Sequence, residues 1–131
     1  IAFADPFSPS CKAFWAAAQP WVKACKDQLN TLLVAFLNPK SGRYATALLN
    51  APDPAAAWRE YELSGGKKVP HFEGVTPRDT FNLLQHHLKL MDDLGASATP
   101  AIYYMNEQHE LQQVIGMPDE QQLREMFGPA P

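Results

Sequence analysis

The apolar positions of this chain follow two rhythms, one of strands and one of helices, and they alternate in a definite order. Ile1-Ala2-Phe3-Ala4 is a short apolar run broken by Asp5-Pro6, which predicts a buried strand. Ser8-Pro9 then reads as a helix start, a hydroxyl cap followed by proline at the first helical position. From there Cys11, Phe14, Trp15, Ala18, Val22 and Cys25 recur at helical spacing and form one apolar stripe. Pro20 falls inside it and predicts a kink rather than an end, because the period resumes afterwards. Residues 29–37 predict a fully buried strand, with Leu32, Leu33, Val34, Ala35 and Phe36 nearly continuous. Strand, helix and apolar strand together predict a parallel pair joined by a right-handed crossover.

Residues 38–98 read as a helical insertion with turn-rich joints. A short helix is expected over 44–50. Asp53-Pro54 caps another that runs through Trp58 and Tyr61 to Gly65-Gly66. Residues 67–75 predict an irregular loop. Thr76-Pro77-Arg78-Asp79 resembles a capping box with Thr76 as the cap, and the helix it opens places Phe81, Leu84, Leu88 and Met91 on one face. The last third returns to strands: 101–105, a turn at 106–108, and a hairpin partner at 110–115. Gly116-Met117-Pro118-Asp119 leads into a final amphipathic helix through Leu123, Met126 and Phe127. The order β-α-β, helical insert, β-β-α is that of the α/β thioredoxin fold, on one domain spanning 1–131 with its insertion at about 38–98.

Composition narrows the function classes. The 131 residues are 46% apolar and 19% charged, with a formal net charge of −3 and no Lys/Arg run. One domain with one sizeable core is expected, and nucleic acid is a poor partner for such a surface. The longest apolar stretch, residues 32–37, falls far short of the ~20 residues of a membrane helix. Because the chain opens inside a strand with neither Met nor a basic leader, upstream sequence is expected to have been removed. Cys11 and Cys25, if on one helix, sit about 21 Å apart at roughly 1.5 Å per residue, too far for a disulfide. Cys25 reads as a packed core residue. His86 and His87 are adjacent on a helix and so diverge, while His71 and His109 fall in loops or at strand ends, so no metal site is expected.

The segment Ser8-Pro9-Ser10-Cys11 lies where the first strand hands over to a helix N-terminus, a place that favours negative charge. A cysteine there would have its pKa lowered from ~8.5, to as little as ~3.5–7.5. Position 8 is therefore suited to a thiolate, but it carries serine, whose hydroxyl stays protonated. From the residues alone, Ser8 reads simply as a good N-cap and Cys11 as a small buried hydrophobe. Asp5 reads either as a buried acid assisting proton transfer near Cys11 or as a turn cap.

The run Phe3-Ala4-Asp5-Pro6-Phe7-Ser8-Pro9-Ser10-Cys11-Lys12, with Phe14-Trp15 after it, resembles the active-site segment of the periplasmic disulfide isomerases of the DsbG/DsbC family, closest to DsbG. The likeness recurs in Leu32-Leu33-Val34, Leu90-Met91-Asp92-Asp93-Leu94-Gly95, Thr99-Pro100-Ala101-Ile102-Tyr103-Tyr104-Met105, Leu111-Gln112-Gln113 and Gly116-Met117-Pro118-Asp119. It implies a catalytic thioredoxin-like domain in which Ser8 takes the place of the exposed nucleophilic cysteine and Cys11 that of the resolving one. Thr99-Pro100 becomes the cis-proline loop beside the site, and Pro9, Ser10, Thr99 and Pro100 become substrate-binding positions. The resemblance implies no cofactor. Its partners would be protein substrates with disulfides or oxidised cysteines, and a membrane reductant protein. It further implies a periplasmic location and a homodimer through an N-terminal dimerisation domain and linker that these residues do not include.

The departure at Ser8 matters most, because exchange proceeds by thiolate attack through a mixed disulfide. With serine the first step lacks its nucleophile. Two explanations are open, a deliberate Cys→Ser change or a naturally inactive paralogue. Two functions are open with them: a disulfide isomerase or reductase, with sulfenic acid reduction within its range, silenced at position 8, or a redox-silent peptide-binding, chaperone-like module using apolar surface around Phe7, Pro9 and Pro100.

Overall fold

The structure, a computed structural model, describes residues 1–24 and 27–131. Four strands and five helices follow in the order β1 (Ala2–Ala4), α1 (Pro9–Lys23), β2 (Thr31–Leu33), α2 (Ser41–Leu49), α3 (Pro54–Leu63), α4 (Arg78–Asp93), β3 (Ala101–Met105), β4 (Leu111–Ile115) and α5 (Glu120–Phe127). The strands form one sheet in the order β2-β1-β3-β4. β1 runs parallel to β2, with Phe3 opposite Leu32, and antiparallel to β3, with Phe3 opposite Ala101. The β3–β4 hairpin completes it, Tyr103 facing Gln113. This is the predicted α/β architecture, with three helices between β2 and β3.

Alternation along the strands decides which helix covers which face. Ala2 and Ile102 point to one side and pack with Phe14 and Trp21 of α1 and Leu123 of α5. Phe3, Ala101 and Tyr103 point to the other and meet Met91 of α4, with Val34 and Ala96. A third cluster closes the end of the sheet where β1 and β2 finish: Ala4, Cys11 and Leu33 pack against Ala45, Leu48, Tyr61 and Leu84 from α2, α3 and α4. The insertion thus builds one wall around the beginning of α1.

Several elements depart from the sequence pattern. The strand expected over 29–37 is only three residues long, Thr31–Leu33. Beyond Val34 the chain turns off the sheet because the Phe36 and Leu37 N–H groups donate to a carboxylate oxygen of Asp5, at 2.8 and 3.0 Å. Phe36 and Leu37 end up exposed, and Thr31 and Leu32 are only half-buried, since β2 is an edge strand rather than an interior one. In α1 the buried face is Cys11, Phe14, Ala18 and Trp21, with Trp15 and Val22 half-buried. Trp21 was absent from the expected stripe, and its indole N–H donates to the carbonyls of Gly128 and Pro129 at 3.2 and 2.9 Å. The helix runs through Pro20 to Lys23, and Cys25, expected in the core, lies outside the described residues.

α4 has Pro77 at its N-cap and no side-chain cap. The Thr76 hydroxyl, expected to cap it, pairs instead with the Thr46 hydroxyl at 2.9 Å. Its buried face is Thr80, Leu84, His87 and Met91. Phe81, expected inside, is exposed, and His87 is buried because its Nδ1 pairs with the Leu33 carbonyl of the edge strand at 2.8 Å. α5 carries a full capping box between Asp119 and Gln122. No helix among the described residues is long and apolar enough to cross a membrane.

Candidate active site at the head of α1

The site begins with a cap. Ser8 has extended backbone (φ −88°, ψ 114°), and its Oγ accepts from the Cys11 N–H at 3.1 Å, with Pro9 as the first helical residue. That hydroxyl satisfies one of the free amides of the helix N-terminus. It also donates to the Thr99 carbonyl at 3.4 Å, across 91 residues of sequence. The Thr99–Pro100 peptide bond is cis, and the Pro100 carbonyl accepts from the Gly116 N–H at 2.8 Å, holding the loop on β4. Ser8, Cys11, Thr99 and Pro100 therefore meet in one place, while Pro9 is exposed and Ser10 half-buried on the outward turn of the helix.

Two expectations of exposure are not met. Ser8 is 2% exposed, not open, because its short side chain turns inward to serve both the Cys11 amide and the Thr99 carbonyl. Pro100 is likewise fully buried and Phe7 half-buried, so of the three residues expected to form an open apolar surface only Pro9 is exposed.

Cys11 is 2% exposed and is a free thiol. Burial pushes its pKa up, and the nearby charge of Glu62 adds to the effect. Three groups oppose this: the Ser8 hydroxyl, the Asp5 main chain and the Thr99 hydroxyl. The Thr99 Oγ1 is itself buried and has no hydrogen-bond partner among the described residues. The thiol thus sits among donors able to stabilise a sulfur anion, yet burial wins and keeps it protonated.

The loop before the cap is held from several directions. Asp5 is fully buried. One carboxylate oxygen accepts from the Phe7 N–H at 2.9 Å and the Ser41 hydroxyl at 2.8 Å, the other from Phe36 and Leu37. Of the two readings open for Asp5, the structure selects the turn cap. The Pro6 carbonyl accepts from the Lys12 ammonium and the Tyr61 hydroxyl, each at 2.6 Å, and the Lys12 Nζ lies 4.8 Å from the centre of the Tyr61 ring. Sequence reasoning missed Tyr61, Ser41 and Glu62 as neighbours of this site. Their only signal was position on the inserted helices, which does not say what those helices cover.

A groove of about 670 Å³ lies elsewhere, between α1, the edge strand and α3, lined by Trp15, Val22, Leu29 and Trp58 among others and by none of the residues just described.

Sheet order and helix placement define a thioredoxin-fold domain. The fold matches the crystal structure of a disulfide interchange protein from Neisseria gonorrhoeae with a TM-score of 0.64 and 23% identity, covering 96% of this chain and 82% of that one. No family model matches the chain. The chain is 48% identical over 126 residues to the Thiol:disulfide interchange protein DsbG of Escherichia coli (strain K12), covering 96% of this chain and 51% of the relative. It is 37% identical over 127 residues to the protein of the same name from Pseudomonas aeruginosa, covering 97% of this chain and 50% of the relative. Over nearly all of its residues the chain is a close homologue of these DsbG thiol:disulfide interchange proteins, and it spans about half the length of these curated relatives.

Proposed function

We propose that these residues form the thiol–disulfide exchange domain of a DsbG-like protein, with position 8 the seat of the attacking sulfur and Ser8 holding it redox-silent. The observation that carries this reading is the convergence of Ser8, Cys11 and Thr99 at the head of α1. A sulfur in place of the Ser8 Oγ would inherit the helix N-terminus and the Cys11 amide, which favour its anion. It would attack a disulfide of a protein substrate, or an oxidised cysteine, and Cys11 would resolve the resulting mixed disulfide. Pro9, Ser10, Thr99 and Pro100 would contact the substrate, whose extended backbone would pair beside the proline loop.

The same reading carries a periplasmic location, reduction by a membrane protein, and a homodimer formed through sequence outside these residues. Ser8→Cys is expected to confer reduction of insulin by dithiothreitol on a chain that otherwise lacks it. Absence of thiol exchange by Ser8→Cys in every redox buffer overturns the reading.

A further inference from the structure

Two carboxylate residues are buried among the described residues, Asp5 and Glu62. Their situations differ. Asp5 is saturated by the four donors described above. Glu62, in the last turn of α3 and 7% exposed, has neither carboxylate oxygen in contact with solvent, and neither has a hydrogen-bond partner among the described residues. An ionised carboxylate in such a place is costly unless paired and hydrogen-bonded. Lys12 is the opposite charge that acts on it, but that ammonium is engaged by the Pro6 carbonyl and the Tyr61 ring. Burial accordingly pushes the Glu62 carboxyl up to about 7, with Lys12 pulling back only in part. Such a group takes up and releases a proton near neutrality.

α3 packs directly on α1, and Tyr61 shares a core cluster with Cys11. Across that interface the Glu62 charge acts on the Cys11 thiol. The other titratable or charged groups at this corner are not placed to serve as its base. Lys12 is a cation held on Pro6. Tyr61 donates its hydroxyl to the same carbonyl and is pushed up to about 12 by burial. Tyr44 of α2 packs its ring at a tilt against Phe7, Asp5 has its oxygens filled, and the His87 Nδ1 on α4 is taken by Leu33.

We propose that Glu62 is the proton acceptor for Cys11, the buried group on the inserted helix that takes the thiol proton when Cys11 attacks a mixed disulfide at position 8. This rests on the exchange reading above. In that step the Cys11 S–H bond breaks and its proton passes by way of one bridging water to the Glu62 carboxylate, since no direct hydrogen bond joins the two. The sulfur's electron pair forms a new S–S bond to the sulfur at position 8. The bond from that sulfur to the substrate sulfur breaks, and the substrate leaves as a thiolate, which then takes up the proton from Glu62. The two protein sulfurs are oxidised to a disulfide, the substrate cysteine is reduced, and no proton is gained or lost overall.

Two measurements test it. In the serine chain carrying Cys25→Ala, the titration of Cys11 is followed by the ¹³Cβ shift of labelled cysteine. Glu62→Gln is expected to lower the Cys11 midpoint by about half a unit or more, through loss of a like charge. An unchanged midpoint overturns the proposal. In Ser8→Cys, a mixed disulfide is preformed and its resolution timed across pH. The rate is expected to climb through neutrality, and Glu62→Gln to remove that limb and slow resolution by about tenfold or more at pH 7. Glu62→Asp, which keeps a carboxylate, is expected to restore part of the rate. Equal rates and profiles with and without the carboxylate overturn the role of Glu62 while leaving the exchange reading intact. A Ser8→Cys protein that forms no mixed disulfide overturns the exchange reading, and this proposal with it.

Discussion

The Asp5 carboxylate ties its own loop to the segment after β2 and to the start of α2. It accepts from Phe7 in its own loop, from Phe36 and Leu37 after β2, and from Ser41 at the start of α2. The sequence shows Asp-Pro as a turn, but donors 31 to 36 residues away are brought to it only by folding, so the choice between acid and cap was not legible. A hydrogen bond to a charged group contributes more than a neutral one, and removal strands the buried Ser41 hydroxyl and three partly buried amides. Asp5→Ala is therefore expected to lose about 3 kcal/mol or more in denaturant unfolding. A loss below about 1 kcal/mol would mean that those amides find other partners. Ser8 was more legible: hydroxyl then proline before an apolar stripe is a cap by local rules alone. That its hydroxyl also reaches Thr99 needed the fold.

At the scale of elements, the Tyr61 hydroxyl is one of the points at which the inserted helix α3 reaches the site. Tyr61→Phe removes the 2.6 Å bond to the Pro6 carbonyl but leaves the Lys12 ammonium on the same oxygen. An expected loss of about 1 kcal/mol follows for thermal or denaturant unfolding. A loss several times larger would show that the hydroxyl holds more than this carbonyl. Helices were the most legible elements, because the stripes of α1 and α5 are long enough to define a face. Strands were less so. The apolar run beyond Leu33 continues in sequence, yet Asp5 bends it away from the sheet. α4 shows a different blindness: hydropathy favoured Phe81, whereas the folded helix buries His87, because an edge-strand carbonyl offered the ring a partner. Periodicity measures greasiness and cannot see such a partner. Three helices lie between β2 and β3, but nothing in the sequence pattern said that they wall the head of α1.

For the molecule as a whole, Glu62 makes stability depend on pH in an unusual sense for a carboxylate. Its pKa is raised from the ordinary 4.5 to about 7 in the folded protein, so folding favours the protonated form. Below pH 4.5 the residue costs little. As pH climbs to about 7 the folded chain carries a growing penalty, complete above it, on the order of 3 kcal/mol. Glu62→Gln is expected to gain stability over the parent progressively through that window, measured as the difference in unfolding free energy at several pH values. A difference that stays flat across it would contradict the burial of an ionised side chain.

The position of β1 has a consequence for how the molecule is made. It comes first in the described chain but occupies the interior of the sheet, with Ala2 bridging Thr31 on one side and Ile102 on the other. Joining residues so far apart carries a length-dependent entropy of about 4 kcal/mol, and non-local pairings of this kind slow assembly. A growing polypeptide halted before residue 101 has only a three-rung parallel ladder, with one side of β1 bare. Residues 101–105, made later, supply the strand that covers it.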